Sequence, residues 1–259
     1  MPAVIEFRNV RFTHGERAIF DDLNFRIEER EMIALVGPNG VGKTTLLKIV
    51  AGLLRPTSGT VLLQGRGLES WSRRELSCYA ALVPQHLDVP FAFQVEEIVA
   101  QGRVPHLRRF AGPSARDFEV VESAMQAVDI LGLRERAYSD LSGGERQRVK
   151  IAIGLAQQPK VMMLDEPTQH LDLGRQIELM GLLRTLNDSG ITIIAAMHDL
   201  ALVRENFSSV ILLTPEAVSI AGPAAEVLRP DLLERAFLVD RSSLGRHVSA
   251  ESLSYERGD

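Results

Sequence analysis

The stretch MIALVGPNGVGKTT (32–45) decides how the rest of the chain is read. Its first five residues form an unbroken apolar run, the pattern of a short strand buried on both faces. A glycine loop follows at once, and TTLLKIVAGLL (44–54) then reads as a helix. Gly37-Pro38-Asn39-Gly40-Val41-Gly42-Lys43-Thr44 fills every required place of G-x-x-x-x-G-K-[ST]. Glycines let backbone N–H groups converge on phosphate oxygens with no Cβ in the way. A helix starting near Lys43 turns its positive end toward the same anion. Lys43 is then placed to bridge β- and γ-phosphates, and the Thr44 hydroxyl to bind Mg²⁺. With Thr45, these residues are the candidate nucleotide-binding set.

Working outward, the N-terminal side alternates apolar and polar. Val4, Glu6, Phe7, Val10 and Phe12, then Ile19, Phe20, Leu23, Phe25 and Ile27, predict antiparallel strands with turns near THGER and EERE. On the other side, TVLLQG (60–65) and AALVPQ (80–85) predict strands, and WSRRELS (71–77) a short helix. From 95 to 158 the periodicity becomes helical, with Phe118, Val121, Met125, Val128 and Leu131 on one face. This predicts an inserted helical subdomain. Apolar strands return at VMMLDEP (161–167), ITIIAAMHD (191–199) and VILLT (210–214). Between the first two lies a helix with Leu173, Ile177, Met180 and Leu183 on one face. Strands alternating with helices around a glycine loop predict a mostly parallel sheet covered by helices. The polar tail after about residue 240 is expected to be poorly ordered.

Polar residues at the strand ends supply candidate chemistry. Asp165 and Glu166 close one apolar strand. An acidic residue there holds Mg²⁺ in phosphoryl-transfer enzymes, which suits Asp165, while Glu166 could polarise an attacking water. The alternative is an acid pair favoured by a helix N-terminus. His198 ends the next strand and is followed by Asp199. Parallel strands carry ligands at their C-terminal ends, which raises His198 above an ordinary structural histidine. Gln85 ends another strand and could ligate Mg²⁺ or hold the attacking water; on its own it would be a surface glutamine.

A second loop, DLSGGERQRVK (140–150), has a serine and two glycines at the start of a charged helix. That build also binds anions. One domain therefore carries two phosphate-binding loops.

Bulk properties set limits. The chain has 259 residues, 45% of them hydrophobic and 24% charged, with a net charge of −5. That suits one α/β domain or a core with a subdomain, and argues against nucleic acid as a partner. RVPHLRRF (103–110) is a local basic patch. The single cysteine, Cys78, allows no internal disulfide and no zinc spacing. The first residues show no secretory leader, and no apolar run reaches the roughly 18 residues of a bilayer span. The expectation is a chain that is soluble, or held at a membrane only through a partner.

Together these motifs closely resemble the ATP-binding-cassette ATPases over about residues 3–240. GPNGVGKTT is similar to their Walker A, VMMLDE to Walker B and LSGGE to their signature. Gln85 corresponds to the Q-loop, HLD (170–172) with Asp172 to the D-loop, and His198 to the switch histidine. The resemblance implies the α/β P-loop NTPase fold of ABC type. That fold has a RecA-like parallel-sheet core (about 1–90 and 159–240), an N-terminal antiparallel β subdomain and an inserted α-helical subdomain (about 91–158). A tail (241–259) follows. It implies ATP and Mg²⁺, with Thr44, Gln85 and Asp165 at the metal and Glu166, His198 and Gln85 catalytic. It implies a head-to-tail homodimer in which Ser142, Gly143, Gly144 and Glu145 face the partner's ATP, which accounts for two loops in one chain. The family's adenine-stacking aromatic falls on His14, with Phe12 the nearby alternative.

Within the family, FQVEEIVAQGRVPHL (93–107), DEPTQHLDL and GPAAEVLRPDLLERAF (222–237) are similar to ATPases of iron–siderophore, haem and cobalamin importers. The GR-x-PH wording favours haem. With a short stretch after His198, no large regulatory domain such as sugar importers carry is expected. The subgroup implies a peripheral protein at the cytoplasmic face of the inner membrane. Permease subunits would dock near Gln85–Arg109, served indirectly by a substrate-binding protein. The competing expectation is a soluble cassette ATPase without a permease, as in iron–sulfur cluster assembly. Ribosomal types usually hold two cassettes and DNA-repair types need a coiled-coil insertion, and neither feature is present.

Overall fold

A computed structural model of the chain describes residues 3–89, 93–107, 112–216 and 219–238. The tail from 241 on, and Arg108 to Phe110 of the basic patch, lie outside the described residues. Strands β1 (Ala3–His14) and β2 (Arg17–Glu28) form an antiparallel hairpin. With β4 (Ser58–Leu63) and β5 (Arg66–Gly67) they make a four-stranded sheet of order β2-β1-β4-β5. The second sheet contains β3 (Met32–Val36), β6 (Ala80–Val83), β7 (Val161–Asp165), β8 (Thr192–Ala196), β9 (Ser209–Leu213) and β10 (Ser219–Pro223). Its order is β10-β9-β3-β8-β7-β6, and every pairing except β9 with β10 is parallel.

The hairpin departs from strict alternation for a local reason. Inward residues step from Phe7 to Val10, three apart, where the register between β1 and β2 shifts. Asn9 and Asp22 take left-handed backbone at this bulge, and the Asn9 side-chain amide donates to Asp22 at 2.8 Å. The Asn24 side chain accepts the Asn9 backbone N–H at 2.8 Å. Polar side chains thus satisfy backbone groups that the ladder leaves open.

In β3, β7 and β8 all five residues are buried. Successive side chains feed different cores, because strand side chains alternate between faces. Ile33, Leu35, Met163 and Ile194 pack between the two sheets with α1 (Lys43–Val50). Met32, Ala34, Met162, Leu164 and Ile193 pack on the opposite face. There they meet α3 (Val95–Ala100), α4 (Ala115–Ala127), α5 (Gly143–Ala156) and α6 (Leu173–Asp188). Among the described residues the inserted helices share their core with the sheet, since Val95, Ile98, Val121 and Met125 belong to the same cluster. Helix α2 (Arg73–Tyr79) precedes β6. Helices α7 (Leu200–Asn206), α8 (Ala224–Val227) and α9 (Pro230–Phe237) complete the described chain.

Two expected helix faces need correction. In α6, Met180 and Leu183 are buried with Leu179 and Leu186, but Leu173 and Ile177 are 58% and 55% exposed. A 16-residue helix spans about 24 Å, while a five-residue strand spans about 17 Å. The first turns of α6 therefore extend past the strands that bury its second half. In α4, Val121 and Met125 are buried but Phe118 is 54% exposed. The inward position of that turn belongs to Asp117, which accepts the Arg103 Nε–H at 2.9 Å.

This pair is buried, and Arg103 also donates to the Ala156 carbonyl at 2.6 Å, at the last residue of α5. The GRVPH stretch, which begins with Gly102, is thereby clamped to the end of α5. Gly102 packs so closely on the Ile153 carbonyl that a Cβ would lie 2.3 Å from it. The Asp117 carboxyl is held down at about 2, first by the Ser114 hydroxyl and then by the Ser114 backbone N–H and Arg103. This stabilisation is complete above the ordinary value of 3.8 and is lost as pH falls toward 2. Asp117→Ala is expected to lower unfolding free energy by about 3–5 kcal/mol, because it leaves a guanidinium buried and unpaired. Urea denaturation at neutral pH measures this, and an unchanged midpoint would refute the clamp.

Candidate active site

Burial on both faces leaves the central strands one place for polar chemistry, their ends. Along β3-β8-β7-β6 the C-terminal ends lie side by side. They deliver, in that order, the glycine loop, His198, Asp165 with Glu166, and Gln85. The glycine loop and these four side chains, scattered over more than 160 residues of sequence, meet at one sheet edge, as expected for a parallel sheet.

The loop 37–42 is shaped by glycines where nothing else fits. Gly42 has φ 114°, and a Cβ there would lie 2.6 Å from Ile19 and 2.7 Å from the Phe20 ring. At Gly37 a Cβ would lie 2.6 Å from the Leu213 carbonyl. Helix α1 begins at Lys43 without a side-chain cap, so its first N–H groups face the loop. The Lys43 ammonium donates to the carbonyls of Gly37 at 2.8 Å and Pro38 at 3.2 Å. Burial pushes its pKa down, against the pull of the Glu166 and Asp165 carboxylates.

The Thr44 hydroxyl donates to Asp165 Oδ1 at 3.1 Å. Burial raises the Asp165 pKa, and the Thr44 hydrogen bond partly offsets this. A hydroxyl beside a carboxylate is the oxygen donor set of a hard divalent cation. Among the described residues no cluster of three His, Cys, Asp or Glu side chains stands ready for a metal. This pair therefore fits a cation that takes its remaining ligands from phosphate and water. Gln85, also expected at the metal, turns to Glu166 instead: its side-chain amide donates to Glu166 Oε2 at 2.8 Å and to Gln169 Oε1 at 2.6 Å.

The other oxygen of Glu166 pairs with His198 Nε2. Glu166 has φ 52°, unusual for a residue with a side chain, and its N–H is fixed to the Ala196 carbonyl at 3.2 Å. Asp199 caps α7 by accepting from the N–H groups of Ala201 and Leu202. That cap fixes the turn carrying His198.

The second loop is built by a different device. Ser142 caps α5 in a capping box: Glu145 takes the Ser142 N–H at 2.7 Å, and Ser142 Oγ takes the Glu145 N–H at 3.4 Å. These bonds hold the Glu145 carboxyl below its ordinary range. Gly143 is exposed with open space around it, whereas Gly144 is pressed against Arg175. Asp172 caps α6 by accepting the Arg175 N–H at 3.0 Å. His14 is exposed at the end of β1, while Phe12 is buried beside Phe20, so only His14 presents a face outward.

Sequence reasoning missed Gln169 and Lys150. Gln169 lies three residues after Glu166, a turn spacing that signals proximity and nothing more. Lys150 donates to the Gln85 backbone carbonyl at 2.7 Å. No sequence pattern marks a bond to a main-chain oxygen 65 residues away.

A family model described as ABC transporter matches residues 20–169. The chain is 39% identical over 228 residues to a hemin import ATP-binding protein of Gloeobacter violaceus, covering 85% of this chain and 82% of that protein. It is 37% identical over 228 residues to an iron(3+)-hydroxamate import ATP-binding protein of Bacillus subtilis, covering 88% and 85%. Among solved structures it is similar to a metal-chelate type ABC transporter in an inward-facing conformation. The TM-score is 0.82 at 29% identity, over 92% of this chain and 90% of that chain.

Gly42→Ala is expected to weaken ATP binding at least about tenfold, through a left-handed backbone with no room for a Cβ. Gly143→Ala, with open space, should leave ATP affinity of the isolated chain unchanged. Calorimetric titration of both variants checks the contrast, and equal affinities would contradict it.

Proposed function

The chain belongs to the ABC transporter family, and from that premise we propose that it is the ATP-hydrolysing subunit of a membrane importer. Its cargo is an iron complex, haem or a siderophore, or cobalamin. The observation that carries the ATPase reading is the meeting of Lys43, Thr44, Asp165, Glu166, Gln85 and His198 at one edge of the parallel sheet. The importer reading is supported by similarity to hemin and hydroxamate import ATP-binding proteins over most of both chains. A GRVPH segment locked to the end of α5 also supports it.

Backbone N–H groups of residues 37–45 and the start of α1 bind the phosphates, and Lys43 neutralises their charge. Thr44 and Asp165 would hold Mg²⁺, with the Gln85 side-chain oxygen a further candidate ligand. The ion, when bound, offsets charge on the transferring phosphoryl oxygens. His14 stacks on the adenine. Glu166 takes a proton from the water that attacks the γ-phosphorus, and the bond from that phosphorus to ADP breaks. In the described state both Glu166 oxygens are engaged, by Gln85 and by His198. Each carboxylate oxygen keeps a second lone pair for water, so these contacts orient the base. His198, at the end of β8 beside the phosphate loop, is placed to exchange Glu166 for the γ-phosphate.

One chain holds one Walker-type loop and one LSGGE loop, so the complete site needs a second copy. Ser142 to Glu145 face the nucleotide of the partner chain, and Asp172 lies beside that interface. The homodimer is peripheral, at the inner face of the membrane. Permease subunits dock over the stretch from Gln85 to Arg109. Closure around two ATP molecules then moves the permease, and hydrolysis reopens the dimer. Among the described residues no helix is long and apolar enough to cross a membrane.

Glu166→Gln is expected to keep ATP affinity while slowing hydrolysis about 10²–10⁴-fold, the scale of a lost general base. Wild-type turnover in that variant would refute the assignment. Mixed dimers of Ser142→Arg and Lys43→Ala chains should retain one working composite site. Their rate would match neither the inactive parents nor the wild type, and full inactivity of the mixture would exclude the shared site. Capture of tagged protein from detergent-solubilised native membranes separates the two settings. A polytopic permease in the eluate supports import, and iron–sulfur assembly proteins alone would overturn it.

A further inference from the structure

Gln85 is held at both ends. Its side chain donates to Glu166 and Gln169, and its main-chain carbonyl accepts the Lys150 ammonium at 2.7 Å. Lys150 lies on α5, two turns beyond Ser142, whose capping box sets the start of that helix. It is partly buried and lines a cleft of about 320 Å³ together with Gln85, Glu166, Gln169 and Gly143. Among the described residues it has no ion-pair partner. The Gln85 carbonyl is the one acceptor its ammonium meets.

A lysine placed for solubility or pairing would not be arranged this way. Burial depresses the ammonium with no carboxylate paired to it to compensate. A charge-assisted hydrogen bond to one carbonyl is what returns part of that cost. The bond crosses between two parts of the fold. Lys150 comes from the inserted helices, on the helix that begins with the LSGGE loop, while Gln85 extends from β6 of the sheet.

We propose that Lys150 is a positioning residue that ties the signature helix to the catalytic carboxylate through Gln85. The path is Ser142, helix α5, Lys150, the Gln85 carbonyl, the Gln85 amide and Glu166 Oε2. A shift of α5 when its capped end meets an anion moves the Gln85 main chain. That movement changes whether the Gln85 amide still occupies Glu166. Engagement of the LSGGE loop by one nucleotide is thereby reported to the general base of the other site.

The proposal rests on the reading of Glu166 as general base, so it is tested by two measurements, one independent of hydrolysis. Lys150→Met and Lys150→Arg are compared with wild type. In Lys150→Met, kcat is expected to fall about tenfold, the scale of one charge-assisted hydrogen bond. KM for ATP should stay within about twofold and the melting temperature within a few degrees, and Lys150→Arg should restore kcat. Deuterium exchange of the peptide from Gln85 to Val89 should speed several-fold in Lys150→Met and match wild type in Lys150→Arg. Wild-type kcat or wild-type exchange in Lys150→Met overturns the proposal. So does a parallel loss of ATP affinity and thermal stability, which would make Lys150 a packing residue. An inactive wild type would count against the Glu166 reading, while the exchange comparison would still decide the role of Lys150.

Discussion

A strand buried on both faces cannot carry a charge along its length. Placing an unpaired carboxylate or ammonium in either core costs several kcal/mol. Strands β3, β7 and β8 are closed in this way, five residues each, with α1 and the small sheet on one side and α3 to α6 on the other. The carboxylates and the imidazole of the candidate site are pushed to the strand ends. Because the strands are parallel, those ends share an edge. Asp165 is the last residue of β7, Glu166 follows it, and His198 lies two residues beyond β8. The chemistry of this protein is located by the insolubility of its charges in its own core.

The same constraint explains why two anion-binding loops coexist without competing. The loop 37–42 belongs to the sheet edge, with Lys43 folded onto its carbonyls. The loop at Ser142 belongs to α5 and satisfies its own first N–H groups through Glu145. Each is a preorganised helix start, and they are mounted on different parts of the fold. That separation on one chain is what the proposed head-to-tail pairing of two copies would use.

The glycine loop, the strand ends and the alternation of buried strands were legible because each rests on a local rule: a missing Cβ, a period of two, a run of apolar residues. What was not legible depended on what lies opposite. Phe118 and Leu173 have the right spacing for an inward face, yet the turn at 118 gives its inward place to Asp117, and the turn at 173 lies past the strands. His14 holds the stacking position by resemblance, with Phe12 the nearby alternative, and only the structure shows Phe12 buried beside Phe20 and His14 exposed. The inserted helices read as a subdomain by periodicity, while the cluster their apolar faces share with the sheet is visible only in the structure.

The engagement of Glu166 shows where sequence reading stops and structure begins. Adjacent carboxylates at a strand end suggest two roles, a metal ligand and a base, but not how the backbone parts them. The backbone turns left-handed at Glu166, with φ 52°, and separates them. Asp165 goes to Thr44 and the phosphate loop, and Glu166 to Gln85 and His198. A non-glycine residue in this conformation costs about 1–3 kcal/mol and is kept where its surroundings over-determine it. Here the Ala196 carbonyl, Gln85 and His198 do so from two neighbouring strands. Each oxygen of the proposed general base thereby has a fixed partner, the Gln85 amide on one and the His198 imidazole on the other, delivered by the strands on either side of its own.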